Sequence, residues 1–191
     1  MTPPVLETER LVLRRWQERD KQPFAALNAD PEVMRHFPGT LDRAGSDALV
    51  ARIDGRWAEA GFAFAVAERK ADGAFVGMVG LARLRMPEVP RLDGAVEVGW
   101  RLARAHWGRG YASEAGQAWV EWGFGTLGLD EIVAIIVPGN RRSQAVARRL
   151  GMAEERGGRF EHPALPPGSP LRPHLIYRAG RDQWRRENGA A

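Results

Sequence analysis

The 191-residue sequence contains no cysteine. That excludes disulfides, a thiol nucleophile, thiolate metal sites and any covalent acyl-cysteine intermediate. Lysine is scarce as well, since 26 of the 28 basic residues are arginine. No run of eighteen apolar residues occurs, so the chain offers no membrane-spanning segment. The four histidines, His36, His106, His162 and His174, lack a ligand spacing such as HxxxH, and no metal site is expected. The first ten residues carry Pro3, Pro4 and three charges in place of the apolar core of a signal peptide. A cytoplasmic protein is therefore expected.

What remains is ordinary for a globular chain: 44% hydrophobic and 27% charged residues. The length suits one domain, 1–191, with a real core. The pI of 10.2 points toward nucleic acid, but the net charge is only +4. No basic block reaches five residues; the pairs Arg141-Arg142 and Arg148-Arg149 are the densest. Nucleic acid is thus the less favoured partner, and a basic pocket for an anionic small ligand fits as well.

Local patterns give an order of elements. Leu11, Leu13 and Arg15 alternate with Val12, Arg14 and Trp16 as in an opening strand. A short helix follows Asp20 and ends near Pro31. A second is expected from Ser46, as N-cap, through Val50, Ile53 and Trp57 to Gly61. Strands are expected at 62–69, 75–84 and 95–102, with Asp72-Gly73 turning the first hairpin. Tyr111, Ala115, Ala118, Trp119 and Trp122 fall on one face of a helix. The unbroken run at 132–137 reads as a strand buried on both faces. A helix at 143–150 stops at Gly151, and closing strands are expected at 152–160 and 175–179. The pattern is α+β: a mixed, mostly antiparallel sheet with helices on both faces. Its parallel pair is expected on either side of the Tyr111 helix, because parallel neighbours need a crossover.

The most informative segment is VEVGWRLARAHWGRGYASEA, residues 96–115. A strand runs into a Gly108-Arg109-Gly110 turn that opens a helix, an arrangement that gathers backbone N–H groups around an anion. A P-loop would need Lys after Gly110, where Tyr111 stands. A Rossmann turn would need a third glycine or alanine where Ser113 stands, and Asp130 lies before its strand, not after it. A coenzyme A diphosphate needs neither, and is favoured; a simple tight turn also explains the two glycines.

With its motifs LETERLVLRRW, VEVGW, HWGRGYASEA, PGNRRSQAVARRLGM and HLIYRAGRDQW, the chain resembles the GNAT superfamily of N-acetyltransferases, in its RimJ/RimL-like branch. The likeness covers about residues 6–186. It departs at Ala105, where the coenzyme loop often has Gln or Arg, and at Ala147, where many members have a catalytic tyrosine. The resemblance implies a splayed strand pair, acetyl-coenzyme A as co-substrate and no metal. The pantetheine would lie along Val98, Trp100 and Leu102. The diphosphate would be held by Trp107, Gly108, Arg109, Gly110, Tyr111 and Ala112. Asn140 would bond pantetheine or amine, although a turn residue after Pro138-Gly139 is the plainer reading. Gly99 fits the bulge that a splay requires.

The implied reaction is transfer of an acetyl group to a primary amine, either a protein N-terminus or a small molecule. Such an amine needs a base, and strand alternation puts Glu97, Gly99 and Arg101 on one face. Glu97 is the candidate base; the plainer alternative pairs it with Arg101. Ser143 is the candidate donor to the leaving sulfur, with helix N-capping as its other role. An acyl-coenzyme A-binding module without turnover, or transfer of another small acyl group such as succinyl, stays open. A homodimer through the tryptophans or the final strand is a further expectation, although seven tryptophans also suit one core.

Overall fold

The computed structural model describes residues 5–188. β1 (Leu6–Glu7) pairs antiparallel with β2 (Leu11–Arg14), whose Leu11 and Leu13 are fully buried. Next come α1 (Lys21–Ala29), α2 (Pro31–Met34) and α3 (Arg43–Ala60). Asp30 breaks the first two apart: it is extended, its carboxylate accepts from Glu32 N at 2.9 Å, and Pro31 supplies the preset first turn.

The start of α3 corrects the expected N-cap. Asp42, not Ser46, caps the helix by accepting from Gly45 N at 2.7 Å. Ser46 is buried instead, its Oγ accepting from Asn28 Nδ2 at 2.9 Å. Gly61 ends the helix at φ 76°, a conformation that favours glycine.

The sheet continues with β3 (Phe64–Arg69), β4 (Phe75–Arg83), β5 (Val96–Leu102), β6 (Glu131–Ile136), β7 (Ala153–Glu154), β8 (Phe160–Glu161) and β9 (Pro173–Gly180). Among them lie α4 (Tyr111–Gly125), α5 (Arg141–Arg149) and, last, α6 (Arg181–Asn188). The order is β1-β2-β3-β4-β5-β6-β9-β7, with β8 also on β9. Every pair among the described residues is antiparallel except β5–β6. The fold is thus the expected α+β domain with one parallel pair.

The expected strand 152–160 is two short strands, β7 and β8. Gly157 at φ 71° and a bond from Gly158 N to Glu155 O turn the chain between them. The sequence reading missed β1, α2 and α6, which lack a long apolar period.

Two opposite faces of β5 have different neighbours. Glu97, Gly99 and Arg101 stand opposite Ala82, Gly80 and Met78 of β4. Over that side lie α1 and the turn after α2, which reach Arg101 through Asn28 and Phe37. On the other side α4 packs closely: a Cβ on its Gly123 would lie 2.9 Å from Ile132 and 3.0 Å from Leu81. The buried core runs through both layers, and all seven tryptophans belong to it or pack against it.

Gly77 lets β4 pass close to the end of β5. It faces Leu102, has φ 151°, and a Cβ there would sit 2.3 Å from Arg101 O. Gly77→Ala is expected to destabilise the protein by about 1–3 kcal/mol through backbone displacement and strain. Urea denaturation checks this, and a loss below roughly 0.5 kcal/mol would contradict it.

Candidate active site

β5 and β6 are parallel but paired at one position, Glu97 with Val133. β5 keeps β4 on its other edge through all seven residues. Beyond Glu97 the backbone groups on the β6 side of β5 therefore face a gap. Residues 98–102 form one wall and residues 134–137 the other of a cleft of about 1060 Å3.

At the outer end of the cleft the chain makes a short 310 turn, Arg104–His106, before α4. That turn satisfies two amides internally: His106 N bonds Ala103 O at 2.9 Å and Trp107 N bonds Arg104 O at 3.2 Å. The Trp107 indole donates to Leu102 O at 2.8 Å, which ties the turn to the end of β5. Gly108 and Gly110 then take φ 73° and 82°, so side chains are disfavoured there. Glu114 N is the first amide to bond within α4, to Gly110 O. Among the described residues, no protein acceptor serves the N–H groups of residues 108–113. Unserved amides at a helix start, together with its dipole, form an anion site.

Trp107 carries the Arg142 guanidinium 4.7 Å over its ring. Tyr111 is buried on the inner face of α4, with Arg10 stacked 4.8 Å over its ring. His106 is held below its ordinary pKa, chiefly by burial and then by Arg69 and Arg109. All the candidate residues named from the sequence line the cleft except Arg109, which is exposed. Of Arg109, only the backbone fits the expectation.

The α5 end of the cleft is ordered by Asn140. Its Oδ1 caps the helix by accepting from Ser143 N at 3.1 Å, leaving its amide NH2 free to donate into the cleft. Asn140 rather than Ser143 is thus the N-cap. The Ser143 hydroxyl accepts from Trp100 Nε1 at 3.2 Å, so its own proton remains to be donated. Ala147 is fully buried, and no tyrosine stands in its place.

Glu97 lies at the one bridge between the two strands and lines the cleft. It has no hydrogen bond or ion pair among the described residues. Desolvation pushes its carboxyl up to about 7, with Arg56 opposing weakly. The alternative Glu97–Arg101 pair is not formed: Arg101 Nη1 instead donates to Asn28 Oδ1 at 2.6 Å. Phe64 separates the two positions; its ring lies against Gly99, within 2.9 Å of where a Cβ would be. Sequence reasoning missed Asn28, Phe37 and Phe64 as neighbours of the site. Only the Glu97-Gly99-Arg101 alternation hinted at this face. The far mouth is formed partly by His162, Leu165 and His174, from the proline-rich segment and β9. Among the described residues, no group of acidic and histidine side chains can hold a metal, and no helix is long and apolar enough to cross a membrane.

With this geometry in place, comparisons with known proteins agree. The acetyltransferase (GNAT) domain family matches residues 10–153. The Bacillus subtilis protein YkkB is 34% identical over 148 residues, covering 77% of this chain and 84% of YkkB. The N-acetyltransferase YoaA of the same organism is 27% identical over 156 residues, covering 80% of this chain and 84% of YoaA. A solved acetyltransferase from Agrobacterium tumefaciens superposes with a TM-score of 0.75 at 30% identity, covering 94% and 95% of the two chains. The chain belongs to the GNAT acetyltransferase family and is an acetyl-coenzyme A-dependent acetyltransferase.

The raised carboxyl has a stability consequence. Folded Glu97 keeps its proton to about 7, whereas the unfolded chain releases it near the ordinary glutamate value. Its contribution is therefore fully present below that ordinary value and is lost as pH rises through 7. Glu97→Gln removes the penalty. At pH ~8 the variant should be more stable than wild type by up to about 3 kcal/mol, less where cleft water solvates the carboxylate. Near pH ~5 the advantage should fall below about 1 kcal/mol. Denaturation at the two pH values checks this; an advantage that does not change with pH would contradict it.

Proposed function

We propose that this enzyme transfers acetyl from acetyl-coenzyme A to a primary amine, with Glu97 as base and Ser143 as donor to the leaving sulfur. The observation that carries the reading is continuity. Unserved amides at 108–113, an open strand edge at 98–102 and a protonatable carboxyl lie along one cleft. The fit to the co-substrate is direct, since its diphosphate needs donors without a metal and its thin pantetheine arm needs backbone partners in an extended groove. When bound, it supplies a thioester, the activated acyl group.

Gly108, Arg109, Gly110, Tyr111 and Ala112 hold the diphosphate through main-chain N–H groups; Trp107, expected among them, only flanks it, because its amide and indole donors are spent on Arg104 O and Leu102 O. Each charge-assisted bond contributes about 1.5–3 kcal/mol. Val98, Trp100 and Leu102 lie along the pantetheine. The Leu102 carbonyl already accepts from Trp107, so the chain's remaining backbone groups carry that contact. Asn140 turns its free amide toward the same arm. Glu97 takes a proton from the incoming ammonium, and its pKa of about 7 suits that exchange near neutral pH. The amine nitrogen then bonds the acyl carbon as the carbon–sulfur bond breaks. A strand N–H on the open edge of β5 beyond the Glu97–Val133 bridge faces the developing negative oxygen. The Ser143 hydroxyl, oriented by Trp100, donates a hydrogen bond to the departing thiolate, which takes up the second proton that the nitrogen loses as the amide forms. The acceptor is a protein N-terminus or a small amine. The RimJ/RimL-like reading rests on the sequence motifs of residues 96–115 and 138–152.

Three results are expected. Millimolar coenzyme A raises the melting temperature by about 5 °C or more. Glu97→Gln lowers kcat by about 10²–10⁴ while keeping that thermal shift. Wild-type kcat/KM rises with pH through about 7. Thiol release, pH profiles and thermal melts measure them; full activity in Glu97→Gln would remove Glu97 from the mechanism.

A further inference from the structure

We propose that Arg101 anchors an anionic group of the acceptor, so that the amine acetylated here belongs to a molecule that also carries a carboxylate or phosphate. This rests on the transferase reading above and names its substrate class. Arg101 lines the cleft on the same strand face as Glu97, four residues further on. At about 3.4 Å per residue, that puts their Cα atoms roughly 13 Å apart. Between them lies the Phe64 ring, packed against Gly99, an apolar surface for the middle of a small molecule.

The guanidinium is held but not neutralised. Nη1 donates to the neutral Asn28 Oδ1 at 2.6 Å, and Asn28 is itself fixed by Ser46. The group stacks 4.0 Å over Phe37. Nε is buried without an acceptor, and Nη2 has none among the described residues. No carboxylate lies within 4.0 Å of it in the described residues. The contrast is Arg14, also buried, which the fold pairs with Asp20 at 2.7 Å and Glu68 at 2.5 Å. Burying an arginine without a counter-charge is unfavourable unless something else supplies the charge. Desolvation pulls Arg101 down to about 10, so it stays cationic at neutral pH.

Arg35 also lines the cleft but is paired with Glu32 at 3.6 Å, and burial and Arg35 hold His36 below its ordinary pKa, so the uncompensated charge here is that of Arg101. A polycation would meet like charge there. An oxyanion would find a guanidinium with donors unspent, the geometry arginine uses for carboxylate and phosphate. Arg101 takes no proton and forms no bond; it positions the acceptor so that the amine end reaches Glu97.

The test is a set of initial rates with acetyl-coenzyme A, read by thiol release, on matched acceptors. 5-Aminovalerate is compared with its amide, phosphoethanolamine with ethanolamine, and spermidine serves as a cation. The wild type should prefer an anionic member over its neutral match by about 10- to 100-fold in kcat/KM, and the two pairs tell carboxylate from phosphate. Arg101→Gln should collapse that ratio toward one, mainly through the acceptor KM, while Arg101→Lys keeps part of it. Preference for neutral or cationic amines overturns the proposal, as does an equal loss for every acceptor in Arg101→Gln. If the variants do not fold, the wild-type ratio decides alone. Failure of the underlying reading looks different: no thermal shift with acetyl-coenzyme A and no thiol release from any amine.

Discussion

The single bridge between Glu97 and Val133 is the constraint on which the rest depends. Parallel strands normally share an evenly spaced ladder. Here β5 is laddered to β4 on one edge and β6 to β9 on the opposite edge, while the two edges that face each other meet once and then part. The result is an open strand edge inside the protein. It is tolerable only because the cleft admits water or a ligand to serve its backbone groups. On the proposed mechanism the gap also sets the chemistry, since the Glu97 carboxyl sits at its apex with neither a partner nor full hydration.

Glycine and a few polar caps hold this arrangement open. Gly77 and Gly80 allow β4 to lie tight against its neighbours, and Gly99 leaves room for Phe64. Trp107 locks the turn after β5 through Leu102 O, and Asn140 sets the first turn of α5 where Ser143 faces Trp100. Each device works on backbone or orientation, not charge. On the proposed mechanism most of the machinery is therefore main chain. That is why so few side chains announce themselves as catalytic.

The long periodic elements were legible from residues alone. The Tyr111 helix, the buried run in β6 and the hairpin at Gly73 all follow from spacing and turn chemistry. The glycine-flanked turn was legible too, because positive φ at Gly108 and Gly110 is a local property. Contacts between distant segments were not legible. Whether Arg101 meets Glu97 or Asn28 depends on where α1 docks, seventy-three residues away in the chain. The start of α3 was misread for a related reason: Asp42 and Ser46 are both good caps, and only burial against Asn28 tells them apart. The double glycine at 157–158 was a visible break, yet the apolar flanks drew a strand across it.

The central claim is that the amides of residues 108–113 and the open edge of β5 receive the coenzyme together. Amide hydrogen exchange with and without coenzyme A tests it most directly. The account predicts added protection confined to peptides covering 98–102 and 107–113, with β7 at the opposite edge of the sheet unchanged. Protection elsewhere, or binding that leaves both segments exchanging as before, would contradict it.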